Sequence, residues 1–508
     1  MEYVFKHALT REVAYGSLTK ARRARLHAQF GDWIERLGAG RDEHAPLLAH
    51  HYAEAVRPED VDVAWPDAGP ELERLRANAV SWLSRAAEGA ISRYEIDEAI
   101  ALLQRALALE PDPAERGQLW RRVGRAEALK FDGDAFIEAM ETALELVQDP
   151  EQRAETYAEL AFEGAMRSGM WKRRPRGELM DEWTSRALAG VRHGSAPHVK
   201  AVIARVFWGL DADESALLAS ELAEQLGDVD LRSSAWDARG VAAFREGDFA
   251  TAHTWETRRF DLLGQVTDPD LLHDMYLSTI PTSAAVGRIR EARRLATSLN
   301  ELVAPLTPHH RLHGVACRLE VEELAGDWAS IADLEPEALR IVEDNRDTPC
   351  VRNARTLLLC ALANELLGRP ERARELDAGA GEIESEGFGA TLATPRARLA
   401  LARGELDALE ELLADKDLMR RQTWFALPAA AVNLDALAIF GDAAAVEAAS
   451  YFDRPGSYLE PFGLRALGII RDDEELLYRA DERFRALRLD WYADQTGTLR
   501  RFRSLAGP

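Results

Sequence analysis

The residues best suited to chemistry lie in three clusters. Pro308 is followed by His309, His310 and His313, and then by Cys317. On a helix, His309, His313 and Cys317 follow i, i+4, i+8 spacing, so they share one face and offer the nitrogen and sulfur donors that zinc accepts. No fourth ligand stands nearby in the sequence, and histidines at a helix start are commonly packed or solvated, which is the reading we prefer. Asp42, Glu43, His44, His50 and His51 can be drawn as a metal or general-base site, but neither a nucleophile nor an HExxH spacing supports it. His50 and Tyr52 are instead expected to pack between helices. Lys172-Arg173-Arg174-Pro175-Arg176 has the guanidinium groups to seat a phosphate or an acidic partner; a solvated loop between two helices of a hairpin is the simpler expectation. The chain contains no GxSxG elbow, GxGxxG fingerprint, CxxC pair or Gly-Lys dipeptide, and so no phosphate-cradling Walker A loop. These residues name no reaction, and no catalytic residue, bound metal or cofactor is assigned to the chain.

Composition narrows the classes. At 508 residues the chain exceeds one ordinary core, so it is several domains or one elongated repeat array. A net charge of −24 with 30% charged residues disfavours nucleic acid and anionic lipid as partners. No run approaches the roughly 18 uncharged apolar residues of a membrane span, and the start has no apolar signal core. Cys317, Cys350 and Cys360 form no even framework, which fits a reducing cytoplasm.

The elements that must position these side chains repeat. Trp236, Gly240 and Phe244 fall on one helical face, Gly247-Asp248 breaks it, and Phe249 and Ala252 open a second amphipathic helix that runs to Leu263. Neither half buries its apolar stripe alone, so such hairpins must stack on neighbours. Glycine breaks recur at Gly133, Gly169, Gly209, Gly247, Gly287, Gly326, Gly368, Gly404 and Gly441, at intervals of 36 to 42 residues. The spacing of Trp236, Gly240, Gly247 and Ala252 is similar to that of tetratricopeptide repeats, whose small residues let paired helices approach closely, although the period exceeds that family's roughly 34 residues. The expected fold is all-α: a tetratricopeptide-like helical-hairpin superhelix, or α-solenoid, with lengthened helices. Trp82, Trp120, Trp171, Trp183, Trp208, Trp236, Trp255 and Trp328 are expected in its core rather than on a peptide-binding surface. Phe484, Leu487, Leu489, Trp491 and Tyr492 are expected to form a terminal cap.

The first residues differ from the rest. Tyr3-Val4-Phe5 is a short β-prone run, and Ala21 to Leu37 is a basic amphipathic helix. Phe5-Lys6-His7-Ala8-Leu9-Thr10-Arg11-Glu12-Val13-Ala14-Tyr15, followed by Leu18, Arg22, Arg23, Leu26 and His27, resembles the junction segment of large bacterial signalling proteins. Those proteins carry a P-loop ATPase of the AAA/STAND type, a winged-helix remnant and a tetratricopeptide-like array. In many actinobacterial members a class III adenylate or guanylate cyclase precedes the ATPase; in others a LuxR-type DNA-binding domain is attached. Tyr3 to Tyr52, with Asp42-Glu43-His44-Ala45-Pro46-Leu47-Leu48-Ala49-His50-His51-Tyr52, resembles the cyclase-linked branch most. The resemblance implies that residues 1–38 are a junction left from an upstream winged-helix/ATPase module, 39–70 connecting helices with a linker at Trp65-Pro66-Asp67-Ala68-Gly69-Pro70, and 71–508 the repeat array. It implies a non-catalytic regulatory scaffold that takes a protein or peptide in its groove, with ATPase and cyclase domains in cis or in trans. Alternatives are part of a cyclase or ATP-binding enzyme whose catalytic domains lie upstream, and the tail of a LuxR-type regulator.

Overall fold

The structure, a computed structural model, describes residues 8–38, 42–66, 69–210, 212–266, 268–413, 425–449 and 455–506. Among them it is all-helical, with 27 α-helices packed in neighbouring pairs and no strand. The Tyr3-Val4-Phe5 run, His7 of the junction motif and Asp67-Ala68 of the linker lie outside the described residues. Leu9 belongs to helix Ala8–Gly16, with its side chain outside them too.

A two-residue device joins many helices. Glycine ends one helix in the left-handed region, and the next residue, aspartate, caps the following helix. Gly227, Gly247, Gly326 and Gly441 all have φ between +72° and +75°. The carboxylates of Asp228, Asp248, Asp327 and Asp442 accept the N–H groups of Leu231, Thr251, Ser330 and Ala445 at 2.9 to 3.1 Å. Only glycine adopts that backbone without a Cβ penalty, and the aspartate satisfies an N–H that a helix start leaves open. Seven of the nine expected breaks, from Gly209 to Gly441, are left-handed. Gly133 is not: the left-handed residue is Phe131, Asp132 is the cap, and Gly133 is the first residue of the next helix. Gly169 lies in a short 3-10 turn, Ser168–Met170. Tyr94, Asp472 and Arg488 make further left-handed turns without glycine, so glycine counting missed them.

The chain forms two compact units, Met1–Glu163 and Gly164–Pro508. In the first, Ala28, Ile34, Leu48, Tyr52, Leu75, Trp82, Leu83 and Leu103 build one core across the helices from Lys20 to Leu109. In the second, the hairpin of Val229–Arg245 and Phe249–Arg259 buries Trp236, Phe244, Phe249 and Ala252. Phe244 meets Phe249 across the Gly247 turn, ring centres 5.0 Å apart, and Trp236 packs with Leu262 and Met275. Trp82, Trp171, Trp183, Trp236 and Trp328 are buried, while Trp120, Trp208 and Trp255 are half-buried.

Two returns fold the second unit back on itself. Lys172 to Arg174 stay exposed, as a loop should, but they pair with Glu386 across 213 residues of chain: the Arg174 N–H donates to the Glu386 carbonyl at 3.1 Å and the Glu386 N–H to that of Lys172 at 2.9 Å. The last helices pack on the middle of the unit as well as on each other. Phe462, Phe484 and Tyr492 are buried with Val321 and Leu324, the Tyr458 hydroxyl donates to the Leu324 carbonyl at 3.0 Å, and Trp491 meets Trp328 edge-on at 5.3 Å.

Candidate functional site

Packing of successive helical pairs places residues 37 to 40 positions apart in the chain side by side. Asp270 and His273 lie on helix Pro269–Ala285, His310 and His313 occupy the matching positions of Pro308–Ala325, and Cys350 is the N-cap residue of Val351–Leu366. His310 Nε2 lies 2.7 Å from Asp270 Oδ1, whose other oxygen accepts from Arg167 at 2.9 Å. His313 Nδ1 lies 3.0 Å from His273 Nε2, and His313 Nε2 lies 3.3 Å from Cys350 Sγ. The ring of His309 stands 4.3 Å from that of His313, centre to centre. One donor atom each of His309, His313 and Cys350 fall within 4.8 Å of one another, and all three residues are buried.

The sequence grouped His309 and His313 with Cys317, and the structure replaces the thiol. Cys317 is buried in the apolar cluster with Val321 and Phe244, and Cys350, 37 residues beyond His313, takes its place. Helical periodicity carries no trace of Cys350. The 36-to-42-residue spacing of the glycine breaks admits it, since Cys350 lies 37 residues beyond His313 and 41 beyond His309, while Asp270/His310 and His273/His313 are each 40 apart. Gly169 roofs the cluster: a Cβ there would stand 2.9 Å from His309 Cε1 and 3.6 Å from Cys350 Sγ. Burial holds His273, His309 and His313 well below the usual imidazole range and pushes the Cys350 thiol up to about 11. Cys350, His313 and His273 thus line up like a nucleophile, base and orienting group, but the thiol stays protonated and the imidazoles neutral, the opposite of an activated thiolate pair.

The N-terminal histidines make a second, shallower group. Both nitrogens of His27 are engaged, Nε2 by the Tyr15 hydroxyl at 2.8 Å and Nδ1 by His51 at 2.8 Å. Burial and the neighbouring His27 push His51 down to about 4. Of the junction motif, Tyr15, Arg23 and His27 come together, with Arg23 5.1 Å from the centre of the Tyr15 ring, whereas Glu12 and Leu26 are exposed. His50 is exposed rather than packed between helices; Tyr52 is buried, its hydroxyl between Asp32 and Glu35 at 2.9 and 2.6 Å. Asp42 pairs with Arg85, while His50 and His51 come together with His27, so the structure keeps those two histidines of the constellation and adds a third that the sequence did not group with them.

Gly240 serves a third cluster. A Cβ there would fall 1.9 Å from Glu256 Oε1, so the small residue makes room for a buried carboxylate rather than only for helix approach. Arg259, fully buried, contacts Glu256 at 2.9 Å, Asp274 at 2.6 Å and Asp237 at 3.3 Å, with Ser233 and Ser278 completing its contacts. A 510 Å³ cleft lined by Gly247 to Ala250, Ala285, Val286 and Pro455 to Ser457 offers shape but little chemistry, since Asp248 is spent on its helix cap. No helix among the described residues is long and apolar enough to cross a membrane. Neither a known protein family nor a curated protein matches the chain.

Proposed function

We propose that the chain is a non-catalytic, cytoplasmic scaffold of tetratricopeptide-like hairpins that binds a protein partner through an acidic amphipathic helix of that partner. The observation that carries this is a ridge on helix Lys20–Gly38, where Leu26, Phe30, Trp33 and Leu37 are 45%, 41%, 48% and 68% exposed. Their i, i+4, i+7, i+11 spacing makes one continuous apolar stripe of the kind that packs against another helix. The acidic residues of this helix are drawn inward: Asp32 pairs with Arg74, and Glu35 accepts from Trp82 and Tyr52. Arg22 and Arg36 stay exposed beside the stripe. In a chain of net charge −24 this face is locally basic, which favours an acidic helix as the occupant. The junction-like sequence around Tyr15 and His27 makes a cyclase-linked ATPase module the first candidate partner, in cis or in trans. Regulation would follow if that module binds two arrangements of the array unequally. Nucleic acid, membrane and cofactor have no part in this reading.

A photo-crosslinking residue at Trp33 tests it in cells. The expected product is a covalent adduct whose mapped site is an acidic amphipathic helix of another protein or module, lost when Leu26 is changed to Glu. Adducts only to a second copy of the chain, or none, would refute the docking face. ATP turnover by the purified chain, lost on one point change, would replace the scaffold with an enzyme.

A further inference from the structure

We propose that His309, His313 and Cys350 form a zinc site. The donor set is the first reason. Two imidazoles and a thiolate suit zinc, a borderline-soft ion that needs no carboxylate. Geometry is the second. Donors around tetrahedral zinc stand about 3.3–3.8 Å apart, given bonds of about 2.0–2.3 Å. His313 Nε2 and Cys350 Sγ already stand 3.3 Å apart, and His309 brings a nitrogen within 4.8 Å of both.

The surroundings are arranged as a metal would need them. His313 turns Nε2 toward Cys350 and leaves Nδ1, 3.0 Å from His273 Nε2, to be oriented by that ring, as the far nitrogen of a metal-bound histidine ordinarily is. The nearby full charges have carboxylate partners, Arg167 with Asp270 at 2.9 Å and Arg352 with Glu320 at 3.0 Å, although the Arg352 charge also bears on His309, His313 and Cys350. Burial keeps the ligand residues as neutral imidazoles and a thiol, and binding releases one proton from Cys350 to solvent. Gly169 has room for no side chain over His309, so the backbone there packs directly on the donor set. The N-terminal group of His27, His50 and His51 is the competing site, but it has no sulfur and is only partly buried, with His50 exposed.

The test uses the untagged full chain, stripped and refilled with zinc or cobalt(II). A thiolate-to-cobalt charge-transfer band marks the proposed site, since the N-terminal histidines cannot produce one. The expected result is about one equivalent of metal carrying that band. Cys350→Ser should abolish the band, and His273→Phe should weaken binding by about 10–100-fold. Cys360→Ser should leave both unchanged, with helicity followed by circular dichroism. If Cys350→Ser fails to fold, His309→Gln gives the same reading through a lost equivalent. Absence of the band in the wild type, or its persistence in Cys350→Ser, overturns the proposal.

Discussion

Around Arg259 the chain supplies its own cation; around His313 it does not. Both clusters are buried in the Gly164–Pro508 unit, and both lie where successive hairpins stack. At Arg259, Asp237, Glu256 and Asp274 converge on one guanidinium, and removing that centre leaves carboxylates with nothing to balance them. At His313 the neighbours are imidazoles and a thiol, which are tolerable without charge and become a ligand set when an ion arrives. The first arrangement is a structural lock. The second has the parts of a receptor: its groups are tolerable while empty, and on binding the imidazoles stay in the neutral form that burial favours while the Cys350 thiol gives up its proton.

The comparison breaks most readily at the lock. Arg259→Leu should cost about 3–5 kcal/mol, the usual loss when one partner of a buried ion pair is removed, read as a lowered midpoint in urea. Gly240→Ala pushes a Cβ into Glu256 and should cost about 1–3 kcal/mol by overpacking, measured the same way. Cys350→Ser in metal-free protein should cost less, about 0.5–1.5 kcal/mol, because the serine hydroxyl can keep a hydrogen bond to His313 Nε2. A loss as large as that of Arg259→Leu would mean that the His313 cluster is a lock as well.

A pH series sharpens the contrast. Burial, opposed by Arg259, pushes the Glu256 carboxyl up to about 7 from its ordinary 4.5, and burial raises Asp237 as well. The groups facing Glu256 are Asp237 on its partner helix, Asp274 on the next, and Arg259 on its own. The folded chain therefore keeps a proton that the unfolded chain has released, so this group's contribution to stability falls as pH rises from 4.5 to about 7 and is flat above. Glu256→Gln removes the titration, so its melting temperature should fall less than that of the wild type between pH 5 and 8. Parallel curves would show that Glu256 is ionised throughout.

Most of the secondary structure was legible in the sequence because its signals are local. Gly247-Asp248 ends one helix and caps the next whatever surrounds it, and Trp236, Phe244, Phe249 and Ala252 mark the buried stripes by their spacing alone. Phe131, Tyr94, Asp472 and Arg488 turn the chain in the same left-handed conformation, yet their identities announce nothing, since there the packing bears a strain that glycine would have spared. The exposure of His50 and the inward turn of Asp32 and Glu35 depended on which face of each helix met its neighbour. The metal-like cluster was half legible. His309 and His313 are on one helix and share a face by periodicity, whereas Cys350 joins them only because the next hairpin stacks on theirs. Its partner in space is set by how one helical pair packs on the next, a distance that tertiary packing fixes and the spacing within a single helix cannot express.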